Sequence, residues 1–176
     1  MENPMPRISY GFVNAEVNGS LLWNKTYENA YQGTYALDET NGAPNPCDRS
    51  TFLCSELYNE NSYLRQSFLL YKFPLQKGRY KILPYEYNKC DEKEPVCANF
   101  YTWTSDGDVL GDNYKVLTNA NNFLEIESYD SKTKELKASF EVTFVLESQG
   151  SSHVLKDTLH FKNGKIHTKI IPKRKR

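Results

Sequence analysis

The sequence has little of what membrane helices, secretion signals and helical bundles are made of. Its 176 residues contain no run of 18 apolar residues, so no stretch is predicted to cross a bilayer as a helix. The first residues, MENPMPRIS, lack the apolar core of a signal peptide. No segment repeats its apolar residues every 3.6 positions between capping residues, which excludes a helical fold.

An excess of one charge is also missing, and so are the common catalytic motifs. The 22 basic and 22 acidic residues cancel, so no overall field attracts nucleic acid or an anionic membrane. The closing KRKR is interpreted as a solvated terminus. There is no G-x-S-x-G elbow, no G-x-x-x-x-G-K phosphate loop and only three histidines. The sequence therefore predicts no catalytic residues and no cofactor, and an enzyme is the third choice of function class.

Cysteine is scarce, but its spacing is regular. The four cysteines lie in CDRSTFLC (Cys47 to Cys54) and CDEKEPVC (Cys90 to Cys97), with six residues inside each pair. That gap is too wide for a zinc knuckle or a C-x-x-C redox motif. We predict two local disulfides, Cys47 with Cys54 and Cys90 with Cys97, with the other connectivities and free thiols as alternatives. Closing an eight-residue ring stabilises the fold by about 2.5 kcal/mol in the chain-entropy model.

Disulfides predict an oxidising compartment, so we expect an exported protein of the cell envelope or one that is secreted. The start of the sequence fits this expectation if a signal or lipid-anchor segment has been removed ahead of it. Membrane contact is then expected only through such an anchor.

The pattern that dominates the chain has a period of two, which is typical of strands. It is clearest from Leu136 to Glu147, where apolar and polar residues alternate. Asn163-Gly164 lies between two further apolar runs and predicts a hairpin with a tight type I′ turn. Asn18-Gly19-Ser20 predicts another hairpin near the start. Further strands are predicted at Tyr31 to Leu37, Tyr63 to Phe73, Arg79 to Tyr87, Phe100 to Thr104, Tyr114 to Thr118 and Phe123 to Tyr129.

Closely spaced strands separated by turn signals predict an all-β fold, either an antiparallel β-sandwich or a flattened barrel of about 9 to 11 strands. A short helix or turn is considered only at Ser50 to Leu57. Residues 1–176 are predicted to form a single domain with flexible tails at 1–8 and 172–176.

Four segments carry a resemblance to a known family: AEVNGSLLW, FPLQKGRYKI, KASFEVTF and DTLHFKNGKI. In this order they resemble the uncharacterised lipoprotein domains of Bacteroidetes, which are small all-β proteins exported to the cell envelope. The resemblance implies fold and compartment, and it implies no site residues.

Two groups of residues are considered as metal ligands and then set aside. If Asn163-Gly164 forms a hairpin turn, His160 faces His167, and one register of the preceding strand adds Glu141. Other registers remove the carboxylate, and the lysines nearby repel a cation, so a basic outer face is preferred. Asp106, Asp108 and Asp112 lie in SDGDVLGDN, but Leu110 occupies a ligand position of a helix-loop-helix calcium site. A polar hairpin loop is preferred there, and no metal is predicted.

Aromatic residues offer the remaining candidate site. Tyr85 and Tyr87 alternate just before the second cysteine pair, and Tyr101 and Trp103 alternate just after it. Such a cluster can stack on a sugar ring or a peptide, although same-face aromatics are more often core. We predict a non-enzymatic binding domain for an unknown peptide, glycan or protein partner. The alternative is a lipocalin-like carrier of a small apolar ligand.

Overall fold

The structure, a computed structural model, describes residues 8–19, 21–25, 29–40, 50–86 and 96–171. Almost all of the predicted tails lie outside these residues. The described part contains one 3₁₀ turn, Trp23–Lys25, and no α-helix. Its twelve strands are β1 (Phe12–Val17), β2 (Leu21–Leu22), β3 (Tyr31–Asp38), β4 (Thr51–Tyr58), β5 (Leu64–Tyr71), β6 (Gly78–Lys81), β7 (Leu83–Pro84), β8 (Cys97–Thr104), β9 (Val109–Val116), β10 (Phe123–Tyr129), β11 (Glu135–Ser148) and β12 (Thr158–Ile171).

All twelve strands belong to one mixed sheet, which confirms the predicted all-β class. Seven strands follow one another around a partial ring in the order β12, β3, β4, β5, β8, β9 and β11, and β11 pairs again with β12. Strands β1 and β2 extend the sheet on one side of the ring, and β10 and β6 extend it on the other. Two pairings are parallel, β12 with β3 and β7 with β8, whereas the sequence predicted an antiparallel sheet.

The two longest strands, β11 and β12, join the ring to its extensions. Along β11 the apolar residues from Leu136 to Phe144 are buried, as the alternation predicted. One edge of β11 pairs first with β10 and then with β9, while its other edge pairs with β12 along most of its length. Because each half of the strand has a different neighbour, β11 links the ring to the β10 and β6 extension.

The predicted hairpin at Asn163-Gly164 is wrong, because β12 runs through this dipeptide without turning. Asn163 has a positive φ of 52°, but it occupies a bulge: the pairing of β12 with β11 jumps from Gly164 opposite Phe140 to Phe161 opposite Val142. The two histidines consequently do not face each other. They lie on one strand, seven residues and about 23 Å apart, too far to share a metal ion.

His160 instead faces Thr143, whose Oγ1 lies 3.1 Å from His160 Nδ1, and Glu141 is not its partner. Among the described residues, no group of three or more His, Cys, Asp or Glu side chains is arranged to hold a metal. The predicted hairpin at Asn18-Gly19 is confirmed, since both residues have positive φ and β1 pairs with β2 across them.

Two segments differ from the predicted elements. Ser50 to Leu57 forms most of strand β4 and no helix. Both faces of β4 are buried, so its sequence shows no alternation of apolar and polar residues. The predicted strand at Arg79 to Tyr87 is divided within its described part: β6 pairs with β10, and β7 pairs with β8.

The interior of the ring is filled by interlocking aromatic rings. Phe161 on β12 lies 5.5 Å from Phe100 on β8 and 5.9 Å from Phe68 on β5, measured between ring centroids. Trp23 packs against the same three rings at 5.9–6.2 Å. Because these contacts join strands on different sides of the partial ring, the core holds those strands together as well as burying apolar surface.

Candidate functional site

The opposite surface of strands β4, β5 and β8 carries a second, more polar cluster. Along β4, Leu53 and Leu57 face the aromatic core, so Cys54, Glu56 and Tyr58 point to the other face. The Tyr58 hydroxyl donates a hydrogen bond to Glu56, and Cys54 Sγ lies 3.4 Å from Glu56 Oε1. All three residues are buried, so their side chains are packed on this outer surface as closely as core residues are.

Partly exposed aromatic side chains lie on this surface in a continuous row. Ring centroids are 6.2 Å apart for Tyr35 and Phe52, 5.1 Å for Phe52 and Tyr71, and 4.8 Å for Tyr71 and Tyr85. We call the aromatic face the surface formed by these residues together with two more from β8: Tyr35, Phe52, Tyr71, Tyr85, Tyr101 and Trp103.

Hydrogen bonds hold the β8 members of the aromatic face in place. Asn99 Nδ2 donates to the Tyr101 hydroxyl at 3.0 Å, and Trp103 Nε1 donates to Ser67 Oγ at 2.9 Å. Asn99 and Ser67 are both buried. A bulge in the pairing of β8 with β9 lies between Tyr101 and Trp103. Because these side chains are already ordered, less conformational entropy is lost when a ligand binds them.

The phenol groups of the aromatic face influence one another. Burial, followed by the neighbouring phenols of Tyr101 and Tyr85, raises the pKa of Tyr71. Burial, then Tyr85 and Glu147, raises the pKa of Tyr101. Tyr71, Tyr85 and Tyr101 are therefore close together, and burial favours the un-ionised form of Tyr71 and Tyr101.

The structure brings together three of the four residues predicted to bind. Tyr85, Tyr101 and Trp103 all belong to the aromatic face, and Tyr87 lies outside the described residues. Tyr35, Phe52 and Tyr71 were not predicted, and they reach this surface because β3, β4, β5 and β8 are neighbours in the sheet. None of the three alternates with another aromatic residue beside the second cysteine pair, and that alternation was the signal that indicated Tyr85, Tyr101 and Trp103.

No disulfide is present among the described residues. Cys54 lies on β4 opposite Leu69, and Cys97 lies on β8 opposite Tyr71. Strand β5 separates the two cysteines by at least about 10 Å, beyond the reach of a disulfide. Cys47 and Cys90 lie outside the described residues, so the two local disulfides stay a prediction.

A histidine held between two carboxylates lies at one end of the ring. His153 Nδ1 is 2.6 Å from Asp112 Oδ2, and His153 Nε2 is 2.8 Å from Asp157 Oδ1. Asp112 is fully buried and also accepts the backbone N–H of Gly150. The carboxylates, with Asp112 first, raise the pKa of His153. Since both ring nitrogens are bound to carboxylates, this arrangement ties the 149–157 segment to β9 and does not activate a nucleophile.

The three aspartates considered for calcium are separated in the structure. Asp106 and Asp108 belong to the hairpin turn between β8 and β9, as the preferred interpretation predicted. Asp112 lies within β9, where its carboxylate is bound by His153 and Gly150. In the described part of the chain, no helix is long and apolar enough to cross a membrane.

Comparisons of the chain with models of known protein families, with curated proteins and with solved structures find no match.

Proposed function

We propose that this protein is a non-catalytic binding domain that recognises a glycan across the aromatic face. The observation that supports this is a row of partly exposed aromatic rings on the side of the sheet opposite the core, beside which Tyr101 and Trp103 are held by buried hydrogen-bond partners. Flat rings held in fixed positions suit a ligand with flat apolar faces of its own, such as a sugar.

Polar groups beside Tyr101 favour a glycan over a purely apolar ligand. Asn113 faces Tyr101 across the β8–β9 pairing, and its Nδ2 donates to Glu147 Oε2 at 3.2 Å. A pyranose offers an apolar face for a ring and hydroxyl groups for neighbouring amides and carboxylates. An extended peptide or a partner protein is the competing class of ligand, and array binding distinguishes the two classes.

We also propose that the protein works outside the cytosol, in the cell envelope or after secretion. The support is the cysteine spacing, which favours local disulfides, and the resemblance to exported Bacteroidetes lipoprotein domains. In this proposal, any membrane attachment is through an N-terminal lipid anchor, and nucleic acid is not a partner.

The lipocalin-like carrier has less support. A carrier of this kind holds its ligand inside a barrel, whereas aromatic rings packed at centroid distances of 5.5–5.9 Å occupy the interior of this ring. We therefore place recognition on the outer surface.

The test is binding to glycan and peptide arrays under non-reducing conditions. The strongest array ligand is then titrated by calorimetry against Tyr85→Ala, Tyr101→Ala and the control Phe123→Ala, which removes a partly buried aromatic from β10, away from the aromatic face. Each variant is first checked for folding by circular dichroism and its melting temperature. We expect the two aromatic-face variants to lose at least about tenfold in affinity and the control to keep it. Binding to peptides only, or equal affinity in all variants, would refute the proposal.

A further inference from the structure

A small pocket opens at the end of the ring where His153 lies. Its volume is about 260 Å³, and its walls come from β5, β8, β9 and the segment that follows β11. Among the residues that line it are Arg65, Gln66, Thr102, Ser105, Asp112 and Val154. The pocket shares Trp103 with the aromatic face but is otherwise separate from it, so this inference does not depend on the proposed function.

Arg65 is the unusual group in this pocket. The residue is only 7% exposed, yet no carboxylate of the described residues forms an ion pair with its guanidinium. Its Nη1 donates to the Trp103 carbonyl at 3.5 Å and its Nη2 donates to the Ser105 carbonyl. Its Nε is buried without a hydrogen-bond partner. Two of the five N–H donors are thus used, both on neutral acceptors.

A buried charge without a counter-ion is unfavourable, because the solvation lost on burial is not replaced. Asp112 also lines the pocket, but its Oδ1 accepts the Gly150 N–H at 2.8 Å and its Oδ2 lies 2.6 Å from His153 Nδ1. The one carboxylate in the pocket wall is therefore already bound on both oxygens. The guanidinium lies near enough to the exposed Asp106 to lower the pKa of that carboxyl, but it forms no ion pair with it, and its other N–H groups have no acceptor among the described residues.

We propose that this pocket binds a hydroxylated monocarboxylate through Arg65. A guanidinium and a carboxylate match as two parallel N–H···O bonds, and three of the five N–H groups of Arg65 have no acceptor among the described residues. One positive charge balances one carboxylate, whereas the second negative charge of a phosphate dianion is left unbalanced and is repelled by Asp112 in the wall and by Asp106, which interacts with Arg65. The hydroxyl-bearing wall residues, such as Ser105, suit a ligand that carries hydroxyl groups as well.

The pocket volume limits the size of this ligand. Pockets for drug-sized molecules begin at about 300 Å³, so a pocket of about 260 Å³ takes a smaller molecule, of the size of one sugar acid. The exposed apolar side chain of Val154 forms part of the pocket wall. A molecule with about 13 non-hydrogen atoms and ordinary ligand efficiency binds with a Kd in the millimolar range.

The proposal is tested by titrating the wild-type protein with sodium D-glucuronate, sodium lactate, D-glucose and inorganic phosphate. Nuclear magnetic resonance follows the Arg65 Nε–H signal, and calorimetry gives affinities. We expect saturable glucuronate binding that shifts the Arg65 Nε–H signal, weaker binding of lactate, and at least about tenfold weaker binding of glucose and phosphate. No shift and no saturable binding of either carboxylate would overturn the proposal, and so would phosphate binding as tight as that of glucuronate.

Two variants separate recognition from a structural role of Arg65. Arg65→Gln removes the charge, and Arg65→Lys keeps the charge but loses the planar donor pair. The matched control is Arg79→Gln, at an exposed arginine on β6. Glucuronate is expected to raise the melting temperature of the wild type and of Arg79→Gln, and not that of Arg65→Gln or Arg65→Lys. Equal stabilisation of all four proteins would contradict the proposal. If either Arg65 variant fails to fold, the wild-type titrations alone decide.

Discussion

Gly164 provides a sharp test of how β12 pairs with β11. It faces Phe140, and a β-carbon added at Gly164 would lie 2.5 Å from two carbons of the Phe140 ring. Gly33 on β3 is the matched control, because a β-carbon there would lie 3.6 Å from the Tyr58 ring, an ordinary contact. Neither glycine has a positive φ, so alanine is compatible with the backbone at both positions.

The two Gly→Ala substitutions are expected to change stability in opposite directions. At both positions alanine restricts the unfolded chain, which stabilises by about 0.4–1 kcal/mol. At Gly164 the Phe140 ring must also move, and overpacking of this kind costs about 1–3 kcal/mol. Gly164→Ala is therefore expected to lose up to about 2.6 kcal/mol net, which lowers the melting temperature by up to roughly 10 °C. Gly33→Ala is expected to keep or raise it.

Calorimetric or urea unfolding of the single variants gives these values, and a double-mutant cycle identifies the contact responsible. Phe140→Leu makes room for the added methyl group, so Gly164→Ala should cost less in that background than in the wild type, with a coupling of at least about 0.5 kcal/mol. If Asn163-Gly164 formed a tight turn, the added methyl group would not meet Phe140 and the two substitutions would be additive. Additivity, or a Gly164→Ala protein as stable as Gly33→Ala, would refute the pairing of Gly164 with Phe140.

Three further predictions concern the core, the ring end and the cysteines. Phe161→Ala removes an aromatic side chain that packs against Phe68 and Phe100 inside the ring of strands, so urea unfolding should show that the free energy of unfolding falls by about 3–5 kcal/mol. A fall of less than about 1.5 kcal/mol would contradict a core packed across the interior. The raised pKa of His153 means that its stabilisation is complete below the unfolded pKa and is lost as the pH rises through the folded pKa. The melting temperature of the wild type should thus fall more than that of His153→Gln between roughly pH 6 and roughly pH 8, and parallel curves would be the contrary result. Peptide mapping without reductant should find Cys47 bonded to Cys54 and Cys90 to Cys97, whereas four reduced cysteines in protein from an oxidising compartment would remove the main support for export.

Strands with one buried face could be predicted from the sequence. The alternation in β11 and the Asn18-Gly19 turn signal depend on local chemistry alone, and both are confirmed. Asn163-Gly164 carries the same turn signal, but β12 is paired with β1 on one side and with β11 on the other along this stretch. Pairing on both edges of β12 outweighs the preference of Asn-Gly for a tight turn, and Asn163 keeps its positive φ within a β-bulge.

Burial on both faces explains the error at β4. Leu53 and Leu57 contact the core while Cys54 and Glu56 are buried under the aromatic face, so the strand has no polar side that would reveal its period. Short apolar runs of this kind do not distinguish a strand from a helix by periodicity.

The candidate sites could be predicted only in part. Tyr101 and Trp103 were found because they alternate on one strand, whereas Tyr71 joins them through strand order, which no local pattern contains. Asp112 and His153 are 41 residues apart in sequence. The sequence did contain a signal for Asp112. It lies two residues before Tyr114 and four before Val116, so all three point to the buried face of β9. A carboxylate that faces the core needs a hydrogen-bonding or charged partner.

Recognition on the aromatic face is the central claim, and Trp103 can report on it directly. The chain has two tryptophans, so a Trp23→Phe variant leaves Trp103 as the one source of tryptophan fluorescence. Titrated with the strongest array glycan, this variant should show a saturable change in emission with the same Kd that calorimetry gives, and Tyr85→Ala, which lies outside the Arg65 pocket, should weaken that binding. Emission that stays constant while calorimetry shows saturation would mean that the ligand binds elsewhere, and the aromatic face would not be the binding site.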